Sequence, residues 1–372
     1  MILFVGPYHI LSSPNRSCGG IDSHSRITVE FLREMGRSVV VICWDKGIKQ
    51  TKILKKNKVI FIILPKGENF LEFLKFLFLL RYTVNTLIEK KHISLLLIQS
   101  ISYLLLVQRR RVRRKASIFV HGIMFREYRP RSYRGLAYFV TSIKWITISS
   151  LEYISYLPYK KVILINDEMK KFFRSKNSYT IRNSVSNQFI DSVKYRPFKE
   201  KIFLCVGSVI ERKRQLDLIK LFVQSGLSEH GWRLYLVGNA IGRYGQDVQG
   251  LGRCSDGVEI FQNTEDEQLL KFYKEAAVFC LISDSESSPI SIQEAMYSGC
   301  KIIATDVGGV SELASYSDPC DFFLCSTDTQ VLDAMYQCNL DFVDNANGVH
   351  HKTEKMRDLT KLQLTRLVTE GS

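Results

Sequence analysis

DSESSPISIQEAMYSGCKIIATDVGGVSE, residues 284–312, sets two glutamates, Glu286 and Glu294, eight positions apart across a loop and a helix start. Glu286 lies among small, turn-forming residues. Pro289 takes the first helical position, where a missing N–H costs nothing. Ile290, Glu294 and Tyr297 then recur at helical spacing, which puts Glu294 about one turn inside the helix. A buried strand, Lys301–Ala304, follows, and a Gly308-Gly309 turn closes at Glu312. A helix N-terminus offers unpaired N–H groups and partial positive charge, which suits a phosphate. The two carboxylates repel a phosphate but accept hydrogen bonds from hydroxyls, and the obvious hydroxyls are those of a sugar. Phosphate and sugar recognised together point to a nucleotide sugar.

Working outward, the same loop, helix and buried-strand alternation runs through the chain. Ile2–Gly6, Val39–Cys43, Val59–Leu64, Ser94–Ile98, Ala116–Val120, Ile146–Ile148 and Val162–Ile165 read as short buried strands. Helices are expected from about Gly20 to Gly36 and over Phe70–Glu89. Around Asn187–Lys201 the periodicity lapses and Pro197 intervenes, as in a linker. A second set then begins: Ile202–Val206, Leu234–Val237, Val258–Phe261, Val278–Ile282 and Lys301–Ala304. Repeated βαβ units predict parallel sheets, hence an α/β fold of two doubly wound domains. With 372 residues the chain has room for both. The expected boundaries are 1–190, 200–349 and a terminal helix in 350–372.

The 284–312 segment resembles the signature of the retaining family 4 glycosyltransferases of bacterial surface-polysaccharide type, which have the GT-B fold. That signature runs E-x7-E, A-M-x-x-G, G-G-x-x-E, matched here by Glu286 to Glu294, Ala295 to Gly299 and Gly308 to Glu312. Further family marks follow in order: Gly19-Gly20, His121-Gly122, Asn183, and Val206-Gly207 with Lys213. The resemblance implies two Rossmann-like domains facing across a cleft, the first binding acceptor and the second nucleotide-sugar donor, with the terminal helix packed back on the first domain. It also implies roles. Gly19 and Gly20 would let a loop close over the donor phosphates, and His121 would hydrogen-bond the transferred sugar. Lys213 would reach the leaving diphosphate, and Glu286 would hold the sugar hydroxyls. Glu294 would accept from the ribose, with Gly238, Asn239, Ser287 and Ser288 beside the nucleotide, sugar or phosphate. One departure stands out: Ser208 occupies the place of an arginine, for which Arg212, next to Lys213, is one substitute; the other reading is that Arg212 and Arg214 only cap a solvated helix start. His24 reads as a surface or packing histidine.

No Asp-x-Asp or metal-ligand spacing occurs in the sequence, so no metal or other cofactor is expected. Nine scattered cysteines without a C-x-x-C pair read as reduced thiols of a cytoplasmic protein. The N-terminus reads as a strand and not as a signal peptide. The longest apolar stretch, Ile93 to Val107, has 15 residues and includes three serines and a glutamine, too short to span a bilayer. Charge is lopsided: residues 1–190 hold 33 Lys and Arg against 11 Asp and Glu, a net of +22, while the remainder nets −7. The first half is thus built to meet something anionic. The Arg109–Lys115 run and Arg126, Arg129 and Arg131 suit an anionic membrane surface or a phosphorylated, lipid-linked acceptor. Such an enzyme would build lipopolysaccharide O-antigen or capsule from the inner face of the membrane. A GT-B nucleotide-sugar epimerase, a basic nucleic-acid-binding protein and an inactive scaffold are the alternatives. The basic run lacks interleaved aromatics for base stacking, which argues against nucleic acid.

Overall fold

The computed structural model describes residues 1–8, 20–67, 69–99, 115–121, 161–173, 177–193, 198–240, 242–342, 348–349 and 351–371, with residues 112, 139, 142–143, 146–147, 150, 153–156 and 159 in addition. These fall into two compact units, one formed by the described residues up to Arg182 together with 359–371, the other by Asn183–Asp358.

In the first unit the chain runs β1 (Ile2–Val5), α1 (Gly20–Glu34), β2 (Val39–Asp45), β3 (Lys52–Lys56), β4 (Val59–Pro65), α2 (Phe70–Lys90), β5 (Leu95–Gln99), β6 (Ala116–Val120), β7 (Lys161–Leu164) and β8 (Asn177–Thr180). The sheet order is β3-β4-β2-β1-β5-β6-β7-β8, parallel except for β3. Every residue of β1, β5 and β6 is buried, as a strand covered on both faces must be, so these read as apolar runs interrupted only by Ser117 and closed by Gln99. The edge strand β3, Lys-Ile-Leu-Lys-Lys, is exposed throughout, and its lysines hid it from the sequence reading. β8 was hidden likewise by its polar composition, Asn-Ser-Tyr-Thr. Of the stretch 146–148 read as a strand, residues 146 and 147 are helical, and Ser150 Oγ returns a hydrogen bond to the Ile146 carbonyl at 2.8 Å; Ile148 lies outside the described residues. Three β-branched residues, Ile-Thr-Ile, are too short a window to tell helix from strand.

The second unit runs α3 (Asn187–Val193), β9 (Glu200–Val206), α4 (Gln215–Ser225), β10 (Arg233–Val237), α5 (Gly242–Arg253), β11 (Val258–Phe261), α6 (Asp266–Glu275), β12 (Ala276–Leu281), α7 (Ile290–Tyr297), β13 (Lys301–Thr305), α8 (Val310–Ala314), β14 (Phe322–Cys325) and α9 (Asp328–Leu340). Its six strands are ordered β11-β10-β9-β12-β13-β14 and are all parallel. Chain order therefore reverses between β9 and β12, the place where open α/β sheets bind ligands beyond the carboxyl ends of their strands. The stretch read as a linker holds α3, whose Phe189 packs edge-on against Tyr273 at 5.6 Å, and the first residues of β9. α7 begins at Ile290, with Pro289 as its N-cap and not its first residue.

The final helix, α10 (Thr353–Gly371), begins in the second unit and ends in the first. Leu364, Leu367 and Val368 are buried in one core cluster with Ile27 and Phe31 of α1. Lys361 pairs with Glu34 at 2.9 Å.

Candidate functional site

The loops leaving β9 and β12, at the reversal point, carry most of the residues that the sequence singled out. After β9 the chain turns through Gly207, at φ 147°, into a short 3-10 turn, Glu211–Lys213. After β10 it turns through Gly238, at φ 154°, where a Cβ would fall 2.0 Å from the Gly207 carbonyl oxygen. Glycine at this position is thus a packing requirement: it lets the two loops touch backbone to backbone. Val209 N donates to the Asn239 carbonyl at 2.9 Å, and Asn239 Oδ1 accepts from Asn263 N at 2.9 Å, which ties the next loop to them.

Lys213 lies over Gly207 and donates to Glu286 Oε1 at 2.9 Å, with both side chains nearly buried. Ser283 Oγ donates to the same oxygen at 2.8 Å, and Arg212 Nη1 stands 3.5 Å from it. Arg212 also donates to the Ser285 carbonyl oxygen. Burial alone would raise the Glu286 pKa, but the Lys213 and Arg212 charges outweigh it and hold the carboxyl below its ordinary range. Of the three cations after β9, Lys213 and Arg212 join the glutamate. Arg214 is engaged elsewhere: its guanidinium bonds Asp217 at 2.9 Å and both Asp328 oxygens at 2.8 and 2.9 Å, clamping the start of α4. Ser208 is exposed, and its carbonyl accepts from Gln215 Nε2 at 3.0 Å.

The loop bearing Glu286 is held from three sides. Asp284 N donates to the Arg212 carbonyl at 2.8 Å, and Asn183 Nδ2 donates to the Ser288 carbonyl at 2.6 Å. Gly309 N donates to the Ser287 carbonyl at 3.1 Å. Gly308, at φ 58°, approaches so closely that a Cβ there would lie 1.6 Å from the Glu286 carbonyl oxygen. The Gly-Gly turn of the sequence signature is therefore a backbone brace for Glu286.

Glu294 stands one turn into α7 and accepts from the Tyr273 hydroxyl at 2.8 Å. Burial raises its pKa to about 7, and the Tyr273 hydrogen bond only partly opposes that. Tyr273 was missed by the sequence reading, because nothing in α6 marks one aromatic as a carboxylate's partner.

In the first unit His121 directly follows β6, and its Nε2 lies 2.7 Å from Gln99 Nε2 at the end of β5. His24 is buried and not on the surface, edge-on to His121 at 4.8 Å. Burial lowers the pKa of His24 to about 4 and takes that of His121 well below its ordinary value, so both rings are neutral. Gln99 was also missed; its only signal is a polar residue closing the apolar run Leu-Leu-Leu-Ile. Lys115, the last residue of the basic run, donates to the Ile93 carbonyl at 2.7 Å. Gly20 opens α1. Gly19, Gly122, Arg126, Arg129 and Arg131 lie outside the described residues, as do Arg109–Arg111, Arg113 and Arg114. Among the described residues no group of three or more His, Cys, Asp or Glu could hold a metal ion.

Residues 187–319 match the family described as Glycosyl transferases group 1. An uncharacterized glycosyltransferase of Haemophilus influenzae is 24% identical over 182 residues, which are 47% of this chain and 49% of that protein. The match thus spans about half the length of that relative. A sucrose-phosphate synthase from Thermosynechococcus elongatus superposes with a TM-score of 0.74 at 16% identity, covering 99% of this chain and 98% of that one. A trehalose-6-phosphate structure from E. coli bound with UDP-2-fluoro glucose gives a TM-score of 0.62 at 11% identity, covering 100% and 96%. The fold is that of these two solved structures, α/β with two units whose sheets are parallel apart from β3. Fold and family match together support a GT-B glycosyltransferase.

Proposed function

We propose that the chain is a retaining glycosyltransferase that moves a sugar from a nucleotide-sugar donor to a hydroxyl of a glycan or lipid-linked acceptor. The observation that carries this reading is the contact between Lys213 and Glu286 at the sheet's reversal point. It sets a cation suited to a leaving diphosphate beside a carboxylate suited to sugar hydroxyls. Glu294 serves the ribose, with Gly238 and Asn239 beside the nucleotide, and the N–H groups of Ser287 and Ser288 serve sugar or phosphate. In the step itself the bond between C1 and the β-phosphate oxygen breaks, and a bond from C1 to the acceptor oxygen forms on the same face. The acceptor's proton passes to the departing phosphate oxygen, which Lys213 and Arg212 stabilise as charge builds on it. No protein carboxylate acts as base and no metal is needed, since cationic side chains neutralise the diphosphate. His121 hydrogen-bonds the transferred sugar.

The family resemblance and the basic first half support assembly of a surface polysaccharide, O-antigen or capsule, at the cytoplasmic face of the membrane. The test is a screen of thermal stabilisation by UDP, GDP, ADP and their sugars; the neighbour bound with UDP-2-fluoro glucose makes UDP-glucose the first to try. The right donor stabilises by about 2.7 kcal/mol at a hundredfold excess over its dissociation constant. Release of nucleoside diphosphate with an α-linked product, unaffected by chelator, is the expected result. Stabilisation by none of them, or conversion to an epimer without an acceptor, overturns the reading.

A further inference from the structure

Gln99 is fully buried at the carboxyl end of β5, and its side-chain amide meets four polar atoms. Oε1 accepts from Ser25 Oγ at 2.7 Å, while Nε2 lies 2.7 Å from His121 Nε2, 3.1 Å from His24 Nδ1 and 3.1 Å from the Ile21 carbonyl oxygen. The orientation of the amide follows from the last contact. A carbonyl oxygen only accepts, so the atom facing Ile21 O is the nitrogen and not Oε1. Two amide hydrogens then face the Ile21 carbonyl oxygen and two ring nitrogens, and the shortest contact, to His121, claims one of them.

We propose that Gln99 is a positioning residue that holds His121 as the neutral Nδ1–H tautomer, with Nε2 as a lone-pair acceptor and Nδ1–H as the ring's donor to substrate. A proton on His121 Nε2 would set two N–H groups head to head at 2.7 Å, without an acceptor between them. The same logic keeps a lone pair on His24 Nδ1 when it shares the second amide hydrogen with Ile21 O. The surroundings reinforce neutrality: burial takes the His121 pKa well below its ordinary value, and Phe119 stacks on the His121 ring at 6.2 Å. A histidine fixed in this state is no proton shuttle through Nε2. Its Nδ1–H orients a hydroxyl oxygen of the ligand, and an N–H edge does not favour positive charge on a sugar carbon. Naming that ligand a sugar rests on the transferase reading; the tautomer does not.

The test is a long-range 1H–15N spectrum of the full chain at neutral pH, with His121 assigned by the loss of its signals in His121→Asn. The expected spectrum shows Nδ1 protonated and Nε2 bare. A protonated Nε2, in either a neutral or a cationic ring, overturns the proposal, whatever the variants do. In Gln99→Glu a carboxylate replaces the amide donor, so Nε2 should take up a proton. Turnover should then fall about a hundredfold, as expected for a wrongly held tautomer, with the donor KM unchanged. A Gln99→Glu spectrum identical to the native one also overturns it. A native spectrum as expected, in a protein that transfers no sugar, sinks the transferase reading and leaves the tautomer standing.

Discussion

Glu286 and Lys213 neutralise one another at 2.9 Å, so the lysine is not a fully available cation until Glu286 is drawn to a ligand. Glu286→Ala should therefore abolish transfer while leaving affinity for the free nucleoside diphosphate equal or higher, since a negative charge beside the phosphates has gone. Lys213→Ala should cost about 3–4 kcal/mol of transition-state stabilisation, the loss typical of one oxyanion donor. Calorimetric affinities and kcat/KM for both variants check this, and a Glu286→Ala protein that has lost its nucleotide would reverse the division of roles. Glu294 adds a pH dependence. Its folded pKa of about 7 lies above the ordinary 4.5, so its contribution to stability is complete below 4.5 and disappears as pH rises through 7. Ribose hydroxyls donate best to the ionised form, so nucleotide affinity should rise between about pH 6 and pH 8 beyond what the phosphate's own titration gives. Glu294→Gln supplies that baseline, and equal slopes for the two proteins would refute the assignment. These glutamates and the lysine were legible because their spacing along the chain carries the pattern. Tyr273 and Gln99 were not, because they become partners only when separate strands and helices meet.

Among elements, the loops prove as specified as the strands. Gly308 shows it: φ 58° and a carbonyl 1.6 Å from where a Cβ would stand leave room for no side chain. Gly308→Ala should strain or displace the Glu286 loop, costing about 1–3 kcal/mol of stability and most of the turnover. Denaturation midpoints and initial rates measure the two effects. Full activity in the alanine variant would mean that the brace is dispensable. The sequence made the buried parallel strands plain, since strands covered on both faces are apolar over most of their length. It hid β3, an edge strand in which Lys52, Lys55 and Lys56 are the ordinary defence of an exposed edge. It also hid α3, where two turns of mixed residues are too short to establish a period. The assignment of 146–148 failed for the same lack of length.

For the molecule as a whole, the charge imbalance and one helix bear on location. No helix among the described residues is long and apolar enough to cross a membrane. α2 is nevertheless apolar on two sides. Phe76, Leu80, Val84 and Ile88 are buried in the core, yet Leu71, Phe78 and Tyr82 are 69–70% exposed and Phe70 73%. Phe78 follows Phe76 by two residues, about 200° around the helix, so the exposed apolar stripe faces away from the core. Such a stripe, on a half with 33 basic against 11 acidic residues, suits shallow insertion among anionic headgroups. Each nearby cation would add about 1 kcal/mol. The protein should sediment with vesicles containing anionic lipid and be released by salt, because screening shortens the reach of its charges. Phe78→Ala with Tyr82→Ala should weaken binding at every salt concentration, while neutralising the basic residues of 109–115 should flatten the salt dependence. The two effects separate insertion from attraction. Equal indifference to anionic and neutral vesicles would leave the stripe to some other partner and exclude the membrane as the reason for the imbalance.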